Sequence, residues 1–337
     1  MYCIIFIYGL FYLSYWYCRV YFNNIHYYLK SSKFNWKLRR NSYIKIIYFK
    51  DYFSMNISGN VVNIFPHIFN RPFIPIVLDT PLSQFSVFLA IGPEIYVDGL
   101  VVLEKTGQQV VGRIGCKNIL SHLLNNGYSA WQNTIADQIM ERMYKEDEVM
   151  IEMNSPVSKV IELFKKTKFA FTPIIKDGNV VAVLTIRDFL PIIKNKDKAE
   201  TIPISKISSK LKSIDKNTNI LKAIDIMLKE GIRNIGITEN ESDPSKVIGV
   251  VNDRSILEFL LSHNGRQLMK DLEQEILSHI RIGKNMKIYQ IEEVPQDDSI
   301  KTAASLLTEM ERPFLILKGK DKIVTPWDIV MKTDFII

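Results

Sequence analysis

Cysteine is scarce in this 337-residue chain, and its three copies form no pattern. Cys3, Cys18 and Cys116 make no Cys-x-x-Cys pair, so the sequence indicates neither a zinc knuckle nor a disulfide framework. Cys116 reads as a plain reduced thiol, which suits a cytoplasmic protein. The histidines (His26, His67, His122, His263, His279) are scattered, with no metal-ligand spacing. No glycine-rich phosphate loop ends in Lys-Ser/Thr, and no dinucleotide fingerprint follows a strand. Nor does any residue pair supply a nucleophile with an adjacent base. These absences leave no catalytic signal, and the expectation is a protein that is not an enzyme and carries no cofactor.

Net charge is also missing where it would matter. The formal charge is +7, from 43 basic and 36 acidic residues. Eight of those bases (Arg19, Lys30, Lys33, Lys37, Arg39, Arg40, Lys45, Lys50) and one acid, Asp51, lie in residues 1–54. That leaves 35 of each sign in the remainder, which therefore presents no electrostatic footprint for nucleic acid. Residues 1–54 hold 11 of the 15 tyrosines and no alanine, proline, glutamate, glutamine or threonine. One long apolar run occurs there, Met1 to Cys18, followed by Arg19. It is just long enough for a membrane helix that would leave the rest of the chain in the cytoplasm. It is too long for a secretory signal and lacks the basic start and cleavage site of one. AT-rich codons encode the same Tyr, Phe, Ile, Asn and Lys bias. Residues 1–54 are therefore expected to be a non-native or disordered leader, with Met55 as the natural start and a membrane anchor as the alternative.

What is present is a repeat. Val180 to Leu190 reads as a buried strand ending at Thr185 and running straight into a helix, with Ile186, Phe189 and Leu190 on one face. Thr185 with Asp188 three residues on resembles a capping box, which satisfies free backbone N–H groups at a helix start. The same join recurs at Gly115/Asn118, Asn252/Ser255 and Thr325/Asp328, at spacings of 70, 67 and 73 residues. A regular period marks one supersecondary block per repeat. Upstream of each join stands a capped helix, with Thr80-Pro81, Ser155-Pro156, Thr218 and Ser299 as the candidate caps. Two strands then flank a turn: Leu100–Leu103 with Val110–Ile114, Pro173–Ile175 with Val180–Leu184, and Phe314–Leu317 with Lys322–Val324. Lys-Asp-Gly-Asn in the second repeat is a strong hairpin signal. In the third the turn swells to a polar loop, Glu239–Lys246. A charge run from Asn195 to Thr201 marks a solvated linker between the halves. Beyond the third join, Leu268, Leu272, Ile276 and Leu277 suggest an extra helix.

This helix–strand–strand–helix unit with its Thr-x-x-Asp ending resembles the CBS domain, over about residues 75–337. The resemblance implies an α/β (α+β) fold of four CBS repeats paired into two Bateman modules. Each module is a pseudo-two-fold pair of small sheets with flanking helices, spanning 72–198 (repeats one and two) and 199–337 (repeats three and four). It also implies pairing of modules and a homodimer.

The retained positions suggest a ligand. A carboxylate accepts two hydrogen bonds side by side, which matches the adjacent 2′ and 3′ hydroxyls of a ribose. A hydroxyl and free N–H groups at a helix start suit a phosphate. Thr185, Asp188, Thr325 and Asp328 are thus candidate nucleotide-binding residues. By family resemblance Thr172, Pro173, Arg312 and Pro313 line the slot for the base. Arg187 could reach a phosphate, and Trp327 holds the corresponding place in the fourth repeat. Gly115/Asn118 and Asn252/Ser255 lack the full pair, so each module keeps one strong half-site and one weakened one. The expected function is a regulatory sensor of an adenosine-containing ligand (AMP, ADP, ATP or S-adenosylmethionine) that acts on an unidentified protein partner. A membrane-tethered sensor governing a transporter or channel, and a ligand-free scaffold, are the alternatives.

Overall fold

A computed structural model of the protein describes residues 17–22, 25–30, 59–90, 98–107, 109–143, 150–239, 246–262, 281–286, 288–291, 293–309, 313–319 and 321–333. The chain forms two units, Met1–Tyr52 and Phe53–Ile337. In the first, β1 (Tyr17–Phe22) and β2 (Ile25–Lys30) pair as an antiparallel ribbon, Tyr17 opposite Lys30. Most of the Met1–Cys18 run lies outside the described residues. Among the described residues no helix is long and apolar enough to cross a membrane.

The second unit is built from four repeats of one strand–helix–strand–strand–helix block. In the first repeat, β3 (Pro75–Val77) runs parallel to β4 (Leu100–Leu103), which pairs antiparallel with β5 (Val110–Ile114), and β6 (Glu141–Arg142) adds an outer strand. In the second, β7 (Ile151–Glu152) lies parallel to β8 (Phe171–Lys176), and β8 pairs antiparallel with β9 (Asn179–Thr185). The Lys-Asp-Gly-Asn turn between them holds Asp177 at φ 52° and Gly178 at φ 79°. Two left-handed central residues match the twist of a two-residue hairpin, as that sequence predicts.

The third repeat joins β11 (Ser213–Asp215), β12 (Asn234–Thr238) and β13 (Val247–Asn252) in the same pattern, after β10 (Ser209–Lys210) has crossed to the fourth. The fourth sheet has the order β10-β16-β15-β14, with β14 at Glu293–Val294, β15 at Leu315–Leu317 and β16 at Lys322–Val324. The leading parallel strand of each repeat is absent from the reading of the sequence. Each is only two or three residues long, too short to show a period.

The amphipathic helices between the strands bury the faces their sequences predict. Val157–Thr167 buries Val157, Val160, Ile161 and Phe164, and Ile220–Glu230 buries Ile220, Ala223, Ile224 and Met227. Helix Ile300–Glu309 buries Ile300, Ala303, Ala304 and Leu307. Their starts differ from expectation in three places. Thr80 Oγ1 and Ser155 Oγ accept from the backbone N–H groups of Val77 (3.1 Å) and Glu152 (3.1 Å), closing the turn before the helix instead of capping it. Short hydroxyl side chains are prone to this local competition. Asn219, not Thr218, caps the third helix, accepting from Lys222 N at 2.8 Å. Ser299 caps the fourth as predicted, through Thr302 N at 3.1 Å.

Four apolar clusters tie the repeats together. The helices of repeats one and three share one core, from Phe85 and Ile119 to Ile224 and Leu257. Those of repeats two and four share another, from Phe164 and Phe189 to Leu307 and Ile329. Val101, Leu103, Val110 and Ile175 join the sheets of repeats one and two, while Val250, Phe314, Ile316 and Ile323 join those of three and four.

Entry segments cross between partners in a regular way. Asn60 bridges Pro156 and Pro203 bridges Ser299, so the chain ahead of repeats one and three packs on repeats two and four. Pro81 with Ile135, and Asn219 with Arg281, make the reciprocal crossings. Val61, Phe65 and Ile68 of the first entry segment are fully buried in the core of repeats two and four. The extra helix expected over Leu268, Leu272, Ile276 and Leu277 lies outside the described residues, beyond helix Asp253–Leu261.

Candidate functional site

All four strand-to-helix joins close on themselves by the same backbone logic with different side chains. At the first, Asn118 Oδ1 accepts from Gly115 N at 2.9 Å. A side chain at Gly115 would place its Cβ 3.3 Å from the Phe169 ring, a tight approach that favours glycine there. Arg113, fully buried, stacks 4.1 Å from the centroid of that ring and pairs with Glu141 at 3.1 Å. At the third join, Asn252 Oδ1 accepts from Ser255 N (2.7 Å) and Ser255 Oγ from Asn252 N (2.9 Å), a full capping box. The two joins that carry Thr and Asp use the carboxylate as the cap. Asp188 Oδ2 accepts from Thr185 N at 2.7 Å and Thr185 Oγ1 at 3.0 Å. Asp328 Oδ2 accepts from Thr325 N at 2.9 Å and Thr325 Oγ1 at 2.7 Å.

The outward oxygens of the two aspartates meet different neighbours. Arg71, from the first entry segment, forks onto Asp188 with Nη1 to Oδ1 at 2.7 Å and Nη2 to Oδ2 at 2.9 Å. The same Nη2 donates to Val183 O at 2.8 Å, and His67 Nε2 lies 3.4 Å from Oδ1. Burial alone would raise the Asp188 pKa, but the His67 and Arg71 hydrogen bonds, the Arg71 charge and the Thr185 N–H together hold it below the ordinary carboxylate value. Asp328 Oδ1 instead accepts from Ser209 Oγ at 2.6 Å and pairs with Lys332 Nζ at 2.8 Å. Ser209 belongs to β10, the strand that crosses over ahead of repeat three.

Asp328 opens on a cavity of about 420 Å³ lined mainly by repeats two, three and four, with Asp98 of repeat one on its far side. Thr325, Trp327 and Pro313 line it from the fourth repeat, Lys168 and Arg187 from the second, and Arg233, Asn252 and Arg254 from the third. Ser209, Lys210 and Lys212 come from the segment that leads into the third repeat. In all, seven basic and three acidic side chains face this space. Lys168 Nζ stands 6.0 Å from the centre of the Trp327 ring. Arg187 Nη1 donates to Leu307 O at 3.3 Å.

On the far wall an ion-pair network spans repeats one and three. Arg254 Nη2 meets Asp98 Oδ1 at 2.9 Å, and Arg233 Nε meets Asp253 Oδ2 at 2.7 Å. Desolvation pulls the Arg233 pKa down, but the Asp253 charge above all, joined by Asp98 and the Asp253 hydrogen bond, outweighs it and holds the guanidinium charged. The wall is thus fixed by two charge-balanced ion pairs and partly screened from solvent. A cavity of this size with seven cations, an apolar ring face and three carboxylates, two of them paired with arginines, suits a small organic anion with a hydroxylated middle.

The sequence-derived residues divide accordingly. Thr325, Asp328, Pro313 and Arg187 converge on the cavity, while Arg312 lies outside the described residues. Thr185, Asp188, Thr172 and Pro173 sit away from it; Thr172 and Pro173 are buried in β8. Sequence reasoning missed Arg71, His67, Ser209, Lys210, Lys212 and Lys332. One signal was available, since Val61, Phe65 and Ile68 fall at i, i+4 and i+7 and mark the entry segment as packed. Nothing local could assign Arg71 to a carboxylate 117 residues away.

Comparison with known proteins places the blocks. The family model of the CBS domain matches residues 136–195 and 204–262. An uncharacterised 17.7 kDa protein of Acidianus ambivalens is 26% identical over 127 residues, 37% of this chain and 74% of that protein. The crystal structure of protein MJ1225 of Methanocaldococcus jannaschii, described as a proposed archaeal homologue of g-AMPK, superposes with TM-score 0.67 at 17% identity. It covers 81% of this chain and 99% of that one, so the two share a fold. A CBS domain pair of protein MJ0100, solved with 5-methylthioadenosine and S-adenosyl-L-methionine, matches 40% of this chain and 95% of its own at 19% identity and TM-score 0.32.

Proposed function

From a chain that carries CBS domains in a Bateman-module fold resembling that of archaeal stand-alone CBS proteins, we propose a regulatory protein. It binds an adenosine-containing nucleotide at the fourth repeat and reports that binding to a protein partner. The observation that carries this reading is the opening of Asp328 and Thr325 onto a cavity rimmed by cations of repeats two and three and of the segment leading into repeat three.

A ribose diol entering from the cavity takes the places of the Ser209 hydroxyl and the Lys332 ammonium on Asp328. The Lys332 side chain is 40% exposed and can swing into solvent. Phosphates then face Lys168, Arg187 and Lys210, and the base lies towards Pro313 and Trp327. Such a ligand touches repeats of both modules and the segment leading into repeat three at once, so it changes the packing between modules, and that change is what a partner protein would read. No step of this role needs a nucleophile or a metal. Homodimerisation through the modules, a cytoplasmic location and indifference to nucleic acid complete the proposal.

A thermal-shift panel of AMP, ADP, ATP and S-adenosylmethionine tests it, alongside mass spectrometry of any ligand that co-purifies. A ligand at about 100 times its Kd stabilises by about 2.7 kcal/mol, a shift that melting readily detects. No stabilisation by any of them, with no adenosine compound co-purifying, favours the ligand-free scaffold instead.

A further inference from the structure

Both entry segments reach the carboxylate of the second repeat in their own half of the chain, and they do so with different chemistry. Ahead of the third repeat the reaching residue is Ser209, a short hydroxyl, and Asp328 still faces a cavity. Ahead of the first repeat it is Arg71, whose planar fork meets both oxygens of Asp188. We propose that Arg71 is a built-in occupant of the second half-site, standing where a ribose diol would stand. The chain then takes one nucleotide, at the fourth repeat, and not two.

Three observations carry this. First, the two carboxylates are filled by different occupants: Asp188 Oδ1 holds Arg71 and His67 and its Oδ2 holds Arg71, Thr185 N and Thr185 Oγ1, whereas beyond its own Thr325 contacts Asp328 holds only the Ser209 hydroxyl and the Lys332 ammonium, both on Oδ1. Second, a bidentate guanidinium presents the same pair of parallel donors that a 2′,3′-diol presents, with a full charge added. A neutral diol therefore competes at a disadvantage. Third, Arg71 is not a loose arm. Its Nη2 is also tied to Val183 O, and the segment behind it is anchored by fully buried Val61, Phe65 and Ile68. At Asp328 the corresponding cation is Lys332, a single point charge on a flexible, half-exposed stem. The closure at Asp188 is thus constitutive, set by the fold.

The inference rests on the nucleotide reading of the fourth repeat, and the test separates the two. ADP is titrated calorimetrically into the full-length chain and into Arg71→Ala, Asp328→Ala and the double variant Arg71→Ala/Asp188→Asn. Arg71→Gln, which keeps a neutral amide against the carboxylate, stands in if Arg71→Ala does not fold. The expected result is one site per chain, weakened about 10-fold or more in Asp328→Ala. Arg71→Ala gains a second site, and the double variant loses it. Two sites in the unaltered chain, one of them lost on Asp188→Asn, would overturn the proposal. So would a folded Arg71 variant that still binds only one. If the unaltered chain binds no ADP, the fourth-repeat reading fails by itself. An Asp188-dependent site in Arg71→Ala then still supports the occupant role, and the lack of one overturns it.

Discussion

Replacing Arg71 by alanine strands a carboxylate that is only 5% exposed. Asp188 would keep its Thr185 N–H and hydroxyl and the longer His67 contact but lose both donors of the fork. Removing one partner of a buried ion pair costs about 3–5 kcal/mol, because the remaining charge is left without compensation. Arg71 is itself 25% exposed, so water can partly refill its place and the low end, about 3 kcal/mol, is expected. For a body of this size that corresponds to a fall in Tm of roughly 6–12 °C. A double-mutant cycle with Asp188→Ala isolates the pair, and its coupling energy should be about 2–3 kcal/mol at pH 7.

The pH dependence has a definite sign. Asp188 has a folded-state pKa held below its ordinary value of 3.8, so its contribution is fully present above that value. It is lost as the pH falls below 3.8 and through the depressed folded pKa. Urea unfolding of the four cycle members at pH 7 and at pH 3 measures this. A coupling energy below about 0.5 kcal/mol at pH 7 would place the fork among the weak surface pairs and refute the reasoning.

A chain starting at Met55 should fold, whereas one starting at Pro72 loses fully buried Val61, Phe65 and Ile68. That deletion should cost about 5–9 kcal/mol at 1.5–3 kcal/mol per side chain, visible as loss of a cooperative melt. Aggregation of the Met55 form, with folding of the full chain only in detergent, would mark residues 1–54 as an anchor. In the Met55 form Cys116 is the single cysteine, and burial foremost, with the nearby Asp253 charge, pushes its thiol up to about 12. It should therefore resist a thiol reagent at pH 8 until the protein unfolds, and prompt labelling of the native state would contradict that burial. Incubation with ATP and Mg²⁺ should give no multiple turnover, and turnover abolished by Asp328→Ala would reverse the regulatory reading.

The hairpins of repeats one, two and four were legible because apolar runs and turn residues are local signals, while in the third repeat only the loop Glu239–Lys246 was. Leu100–Leu103 and Val110–Ile114 have the same bounds in sequence and structure. The joins were equally legible, since a capping box is written within four residues. What separates Asp188 from Asp328 was not. Their local motifs are alike, and the difference arises from Arg71 and Ser209, 117 and 119 residues away. Those two residues sit on entry segments that cross between repeats, a placement fixed by the pseudo-symmetric packing and not by any pattern around them. The leading strands, such as Ile151–Glu152 and Glu293–Val294, escaped notice for a simpler reason: two residues carry no period. The expected strong half-site at Thr185 and Asp188 thus has its chemistry intact but its acceptor positions taken.

The central claim is that Asp328 holds the sugar of an adenine nucleotide, and affinity measured on Asp328→Ala tests it most directly. Binding of ADP to the unaltered and substituted chains is measured by calorimetry, with the stability of each recorded by melting in the same buffer. The account predicts about a 10- to 100-fold loss of affinity per folded molecule, from the loss of at least one hydrogen bond to a charged group worth about 1.5–3 kcal/mol. A purely structural cap predicts a loss of about 0.5–2 kcal/mol in stability with affinity unchanged. Unchanged affinity in folded Asp328→Ala would contradict the account.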